Sequence, residues 1–220
     1  ARDSKWTSPI VKRGWLAYRQ LDLIGSFDKI YYGTWLDTGM GHAGRALELN
    51  PKDSDAFELR GTLQYWRWLL NLVPDQAKAA KLLADAEQDL RAAVAGNPHA
   101  AFAWTLLSHL LMGQSQTGEA KLAALKAYEA DPYPTSPKQT VWRLFQSSLD
   151  LEDRTEATHW CDEGRRRFPD YFRFTECQIW LFALKGVPPD IPKAWTLLEE
   201  MVRLSPPNQR AYQQMYGQML

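Results

Sequence analysis

Apolar residues recur every three to four positions along almost the whole chain. Leu82, Ala86, Leu90 and Ala93, for example, share one face of a helix. Segments that alternate polar and apolar residues between turn residues are nearly absent, and β-branched residues are sparse. The pattern therefore predicts an all-α protein.

Prolines that follow helix-like segments divide this pattern at nearly regular intervals of 47, 34, 37 and 37 residues. Because proline cannot continue a helix, each of them marks a helix end. The prolines are Pro51, Pro98, Pro132, Pro169 and Pro206. This spacing predicts units at about 5–51, 52–98, 99–132, 133–169 and 170–206, with 207–220 beginning a further helix.

The unit that starts at Ala101 has the most complete pattern of large and small residues. Small residues let the two helices of a pair approach closely, and large ones fill the gaps beside them. Its pattern consists of Trp104, Leu107, Ser108 and Leu111, then Ala120, Ala124, Ala127 and Pro132. This series resembles the tetratricopeptide repeat (TPR). The resemblance implies a right-handed α-solenoid of stacked antiparallel helix pairs, with about five repeats over residues 1–220, cut from a longer chain.

The first two units each carry 13 more residues than the third. In the second unit we expect one or two added turns on each helix, on either side of 71–74. In the first unit we expect the extra residues to form a connection from Gly25 to Gly33. Ser4 takes the place of a preceding proline in this register.

Charge and motif content narrow the function classes. Lys+Arg 26 balances Asp+Glu 26, so no basic field favours nucleic acid. Apolar runs such as 179–184 are too short to span a membrane. The four histidines lack metal-site spacing, and nucleophile-elbow and kinase motifs are absent from the sequence. We therefore expect no nucleic acid, membrane insertion, metal or cofactor, and no enzymatic activity.

Three other features have ordinary structural interpretations. The G-x-G-x-x-G series at 39–44 precedes a helical segment rather than following a strand, which favours close packing over nucleotide binding. Three consecutive arginines at 165–167 end a helix, where cations complement the dipole, and we expect them to be solvated. Cys161 and Cys177 are either two small buried residues or a disulfide, which would imply an oxidising compartment.

The TPR resemblance also implies which residues line the concave groove, at positions two, five, nine and twelve of each first helix. Carried over by register, the groove residues are Trp15, Tyr18, Glu58, Thr62, Tyr65, Phe102, Thr105, His109, Trp142, Gln146, Glu176 and Trp180, with Trp66 and Trp68 beside them. Flat aromatic anchors with a few polar groups are typical of peptide-binding surfaces. The lysines and asparagines with which chaperone-binding TPR domains clamp a carboxylate tail are missing at these positions, so that ligand is not expected.

Some segments are similar to TPR regions of large bacterial regulatory proteins that carry a serine/threonine kinase or activator domain. These segments are 6–9 with 13–15, 59–63 with 65–68, and 160–164 with 166–169. The sequence thus predicts a non-catalytic module that binds a peptide or partner helix. The alternatives are a small-ligand sensory domain and a structural subunit. We expect a soluble domain, in the cytoplasm or on the outer side of a membrane-anchored protein.

Overall fold

The computed structural model describes residues 6–23, 28–131, 137–182, 184 and 190–217. Within these ranges the regular elements are eleven α-helices and a short 3-10 helix at Gln20–Leu23, and strands are absent. This confirms the predicted all-α class. The helices are α1 (Ser8–Arg19), α2 (Lys29–Leu49), α3 (Ser54–Leu69), α4 (Gln76–Gly96), α5 (Ala101–Gly113), α6 (Thr117–Ala130), α7 (Pro137–Asp150), α8 (Arg154–Arg167), α9 (Arg173–Phe182), α10 (Ile191–Leu204) and α11 (Arg210–Gly217).

The chain divides into two compact units. Unit 1 comprises residues 1–110 with 129–131, and unit 2 comprises 111–128 with 132–220. In chain order α1, α3, α5, α7 and α9 are the first helices of the predicted repeats, and α2, α4, α6, α8 and α10 are the second helices.

In unit 1 consecutive helices pack on one another: α1 on α2, α2 on α3 and α3 on α4, with added contacts between α1 and α3. Leu36, Ala43, Ala46, Leu59 and Leu63 are fully buried at the centre of this unit. Their burial removes apolar surface from water, which is the main favourable term in folding. The successive first helices α1 and α3 are thereby held side by side.

Unit 2 follows the same order of contacts: α7 on α8, α8 on α9, α9 on α10 and α10 on α11. One buried cluster gathers around Val141, Phe145 and Phe174, and a second around Leu198 and Met201. Each helix therefore buries one face against its predecessor and another against its successor, as expected of a helical repeat.

Aspartates cap the beginnings of α2, α3, α4, α8 and α10. The side chains of Asp28, Asp53, Asp75, Asp153 and Asp190 each accept a hydrogen bond from a backbone N–H in the first turn. Such caps satisfy amides that a helix leaves without partners, and each contributes about 1 kcal/mol. They fix where these helices start.

The helix ends predicted from the proline spacing are confirmed in four places. α2, α4, α8 and α10 end at Leu49, Gly96, Arg167 and Leu204, each two residues before the proline that marks the end. The remaining proline of the series, Pro132, and Ser4 lie outside the described residues. The division into repeat units itself stays a prediction.

The extra length of the second predicted repeat lies in its helices, as expected. α3 and α4 have 16 and 21 residues, whereas α5 and α6 have 13 and 14. In the first predicted repeat we expected a connection from Gly25 to Gly33, and this expectation is wrong for the second half of that segment. Asp28 caps α2 there, so Lys29–Gly33 is helical, while 24–27 lie outside the described residues.

Glycines stand where helices approach one another closely. A Cβ added to Gly61 would lie 3.1 Å from the carbonyl oxygen of Ala86, a backbone atom of α4. A Cβ added to Gly164 of α8 would overlap the ring of Phe174 of α9. Larger residues at these positions would push neighbouring helices apart.

Cys161 of α8 and Cys177 of α9 form a disulfide, with their Cα atoms 5.8 Å apart. Both residues are fully buried. Of the two interpretations left open by the sequence, the disulfide is therefore correct, because consecutive helices bring the two Cβ atoms within bridging distance. The bond joins the second helix of one predicted repeat to the first helix of the next.

Candidate functional site

Four aromatic rings from three first helices meet in unit 1. Trp15 lies edge-on to Tyr18 and Phe102, with ring centroids 5.6 and 5.8 Å apart. Tyr18 also contacts Phe102 at 6.3 Å and Trp66 at 6.1 Å. All four residues are half-buried, so their rings remain partly open to solvent. We call Trp15, Tyr18, Trp66 and Phe102 the aromatic cluster.

Glu58 of α3 lies beside this cluster. Its carboxylate accepts a hydrogen bond from the backbone of Ala103, the residue after Phe102. The pKa of Glu58 is raised to about 7, mainly by burial and in part by the nearby charge of Asp55, whereas the Ala103 hydrogen bond opposes the rise. Among the described residues, Glu58 has no basic side chain as an ion-pair partner. Its charge is therefore poorly compensated.

A second aromatic group in unit 1 surrounds Tyr65. The Tyr65 hydroxyl and His109 Nδ1 lie 3.1 Å apart in a hydrogen bond, and the two rings meet edge-on. The Trp68 ring stacks on Tyr65 with centroids 5.8 Å apart. Tyr65 is only 2% exposed, whereas His109 is half-buried. Tyr65 therefore orients His109 rather than offering a surface of its own.

In unit 2 three predicted groove residues are joined through an arginine that the sequence analysis did not select. Arg173 lies over the ring of Trp142, 5.3 Å from its centroid. Arg173 Nη1 is 3.4 Å from Glu176 Oε2, and Trp180 Nε1 donates to Glu176 Oε1 at 3.4 Å. The Trp142 ring, the Arg173 guanidinium and the Glu176 carboxylate are thus connected by direct contacts within unit 2.

Glu176 is almost fully buried, and that burial raises its pKa. The positive charge of Arg173 and the hydrogen bond from Trp180 both act in the opposite direction. A buried carboxylate is tolerated here because a cation and an N–H donor accompany it.

The remaining predicted groove residues use their polar groups within their own helices or remain half-buried. Thr62 is fully buried and donates to the carbonyl oxygen of Glu58 at 2.7 Å. Thr105 donates to the carbonyl oxygen of Ala101 at 2.9 Å. Gln146 is half-buried on α7. A binding role for each predicted groove residue stays a prediction.

The histidines differ in exposure, and the described residues contain neither a group suited to a metal site nor a helix suited to crossing a membrane. His99 and His159 are exposed and His42 is half-buried. Within the described ranges no three or more His, Cys, Asp or Glu residues are grouped as a metal site would require. The same ranges contain no helix with the length and apolarity needed to cross a membrane.

The glycine series at 39–44 lies in the middle of α2. Gly39 is a packing position, because an added Cβ would lie 2.8 Å from Leu63. Gly41 and Gly44 have open space at that position, so packing does not explain them. A helix interior has no free amides for a pyrophosphate, since those belong to a helix N-terminus.

The expectation that 165–167 form a solvated helix end is wrong for two of the three arginines. Arg166 is exposed, but Arg165 hydrogen-bonds Thr175 and pairs with Glu200. The Arg167 side chain is only 13% exposed and hydrogen-bonds the Tyr128 hydroxyl. These partners come from other helices, so an argument from the dipole of one helix misses them.

A surface pocket of about 390 Å³ lies between α10 and α11 of unit 2. Its lining combines apolar and charged side chains, namely Trp195, Leu198, Glu199, Val202, Arg203, Arg210 and Gln214. Trp195 is 52% exposed. The sequence analysis did not select this pocket.

Comparison with known proteins identifies the fold. No family model and no curated protein matches the sequence. Among solved structures, YrrB, described as a TPR protein with an unusual peptide-binding site, is 14% identical with a TM-score of 0.63. That match covers 88% of this chain and 93% of YrrB. PilF of Pseudomonas aeruginosa is 14% identical with a TM-score of 0.64, covering 97% of this chain and 89% of PilF.

A thermophilic TPR protein of Thermus thermophilus is 15% identical, with a TM-score of 0.56 and coverage of 97% and 100% of the two chains. The fold is a TPR-type α-solenoid. At these identities the likeness concerns the TPR fold alone, and the site must be argued from this chain's own residues.

The TPR register located the ring-bearing positions but missed the residues that set their charge environment. Arg173 and Asp55 each lie three residues before a glutamate at the predicted fifth position, Glu176 and Glu58. Residues three apart on a helix are neighbours. That spacing was available in the sequence and would have identified both.

Proposed function

We propose that this TPR fold is a protein–protein interaction module that binds a peptide segment or partner helix on the first-helix face of unit 1. The observation that carries the proposal is the aromatic cluster. Three successive first helices contribute its rings, which contact one another and belong to half-buried residues. Rigid aromatic anchors of this kind dominate the binding energy of peptide interfaces.

The proposal includes the absence of catalysis by this module. The charged groups of the site serve other roles: Arg173 and Glu176 pair with each other, and Glu58 accepts from a backbone N–H. An attached kinase or regulatory domain in the parent chain is a further part of the proposal. The full reading frame would decide that part.

Peptide selection from a displayed random library tests the binding proposal. Peptides enriched on the wild-type chain should lose most of their affinity for Trp15→Ala and Phe102→Ala variants. A Trp195→Ala variant is the matched control, because it removes an equally large ring from unit 2. If no peptide is enriched, or if the control loses as much affinity as the two cluster variants, the proposal fails.

Small-ligand sensing is the second candidate function, favoured by the pocket between α10 and α11. Its volume of about 390 Å³ lies in the range of small-molecule sites, and apolar and charged groups line it together. Screening a metabolite library by NMR tests this candidate. Shift changes confined to the pocket, and lost in Trp195→Ala, would support it, whereas a screen without such changes would reject it.

For the compartment, we propose an oxidising environment, because a disulfide persists where thiols are not kept reduced. The supporting observation is the Cys161–Cys177 bond. Mass spectrometry of the protein from its native source, alkylated before reduction, tests this. Alkylated cysteines in the native material would overturn it.

A further inference from the structure

We propose that the aromatic cluster and Glu58 together bind a positively charged side chain, a lysine or an arginine, of the partner peptide. This inference rests on the proposed function and names the chemistry of its ligand. It is carried by two features of unit 1: a cluster of half-buried aromatic rings, and a carboxylate without a cation as ion-pair partner among the described residues.

The two features are linked through α5. Glu58 accepts from the backbone of Ala103, and the preceding residue, Phe102, places its ring 5.8 Å from Trp15 and 6.3 Å from Tyr18. Aromatic faces attract cations, and the attraction grows when water is excluded. Glu58 thus contacts α5 one residue away from the ring that Trp15 and Tyr18 contact. In the proposed site, a cation bound to the rings pairs with Glu58.

The charge balance of unit 1 favours such a ligand. Glu58 is partly withdrawn from water, and the charge that acts on it is that of Asp55, which has the same sign. A desolvated carboxylate beside a like charge is unfavourable unless a cation joins it. A lysine or arginine from a partner would supply that cation, whereas an acidic side chain would be repelled.

Unit 2 contains the complete form of this arrangement within one chain. There Arg173 lies over the Trp142 ring and pairs with Glu176. In the predicted repeats, Glu176 stands at the same position as Glu58. Ring and carboxylate thus hold a guanidinium between them. At the position corresponding to Arg173, unit 1 has Asp55. Unit 1 therefore has the rings and the carboxylate but must take its cation from outside.

The experiment compares three acetylated tripeptide amides, Gly-Arg-Gly, Gly-citrulline-Gly and Gly-Glu-Gly, by NMR titration of the whole chain. Citrulline has the shape of arginine without its charge. We expect the arginine peptide to shift the Glu58 carboxyl and Trp15 indole signals saturably. The citrulline peptide should bind about tenfold more weakly, and the glutamate peptide should leave both signals unchanged.

Glu58→Gln should weaken binding of the arginine peptide about tenfold, while Glu176→Gln, the matched control in unit 2, should leave it unchanged. Equal binding of arginine and citrulline peptides, an unaffected Glu58→Gln variant, or an equal loss in Glu176→Gln would each overturn the inference.

A second variant keeps the test independent of whether Glu58→Gln folds. Asp55→Arg places a cation where unit 2 has Arg173, and it should compete with the peptide and weaken binding. Asp55→Ala removes the same carboxylate without adding a cation and should bind the arginine peptide more tightly than Asp55→Arg does. Equal affinities of the two variants would overturn the inference.

The library selection separates this inference from the proposed function. Enriched peptides that share a lysine or arginine at one position, and that Glu58→Gln no longer selects, support both. Enriched peptides that need the aromatic cluster but carry no basic residue overturn the inference alone. A selection without enriched peptides overturns both.

Discussion

Glu58 of unit 1 and Glu176 of unit 2 stand at the same position of the predicted repeats, and burial raises the pKa of both. They differ in the residue three positions earlier, which is Asp55 in one case and Arg173 in the other. Arg173 compensates Glu176, whereas Asp55 adds to the cost of charging Glu58. Two buried glutamates of similar sequence setting therefore differ in their charge environment, because one has a cation three residues earlier and the other has a carboxylate there.

A second difference concerns how the units are held together. The Cys161–Cys177 disulfide ties α8 to α9 in unit 2. The helices of unit 1 that contribute the aromatic cluster are held by apolar packing and ring contacts.

Replacing both cysteines by alanine should lower the free energy of unfolding of unit 2 by about 3 kcal/mol, because a cross-link over 16 residues restricts the unfolded chain. Hydrogen exchange in increasing urea measures the loss separately in each unit. Amides of α3 in unit 1 serve as the control. An equal loss in both units would show that the bond stabilises more than its own region.

Glu58→Gln should stabilise unit 1 at pH 8 by on the order of 2 kcal/mol. The folded-state pKa, raised to about 7 from 4.5, means that the folded protein binds more protons between these values. Wild-type stability therefore falls as the pH rises from about 4.5 to about 7, and the variant lacks this fall. Urea unfolding at pH 4, 6 and 8 checks the sign. A constant difference across that range would contradict it.

Arg173→Ala should raise the pKa of Glu176 further and lower the stability of unit 2 by about 1 kcal/mol at neutral pH, because a buried carboxylate loses its cation. NMR titration of the Glu176 carboxyl measures the first effect and urea unfolding the second. Arg166→Ala is the control, since Arg166 is exposed and forms an ion pair with Glu163 of its own helix. An unchanged Glu176 titration would contradict the assigned pairing.

Asp55→Asn should lower the pKa of Glu58 by a few tenths of a unit, the smallest effect, because Asp55 is exposed and water screens its charge. NMR titration of the Glu58 carboxyl measures it. Added salt should shrink the difference between wild type and variant. A higher pKa in the variant would contradict the assigned sign.

The sequence predicted the parts of the structure that depend on local pattern. Helix ends follow from prolines such as Pro98, since a proline forbids the next turn, and the TPR register identified Trp15 and Tyr18 as neighbours on one face. It misplaced Lys29–Gly33, because the cap at Asp28 that starts α2 was not recognised.

Features that depend on other helices were beyond the sequence. The disulfide needed the geometry of two packed helices to decide between the alternatives. The partners of Arg165, which are 10 and 35 residues away, required the fold. The unequal charge of the two glutamate sites required knowledge of their burial as well as their spacing.

The disulfide between α8 and α9 has a mechanical consequence. Because it joins consecutive predicted repeats, a force that pulls the two ends of the chain apart cannot extend the segment between the cysteines. With 16 residues of separation, about 55 Å of contour length stays hidden until the bond is reduced. Under tension, the oxidised chain would therefore lengthen less than the reduced one, with this repeat boundary as the point that does not open.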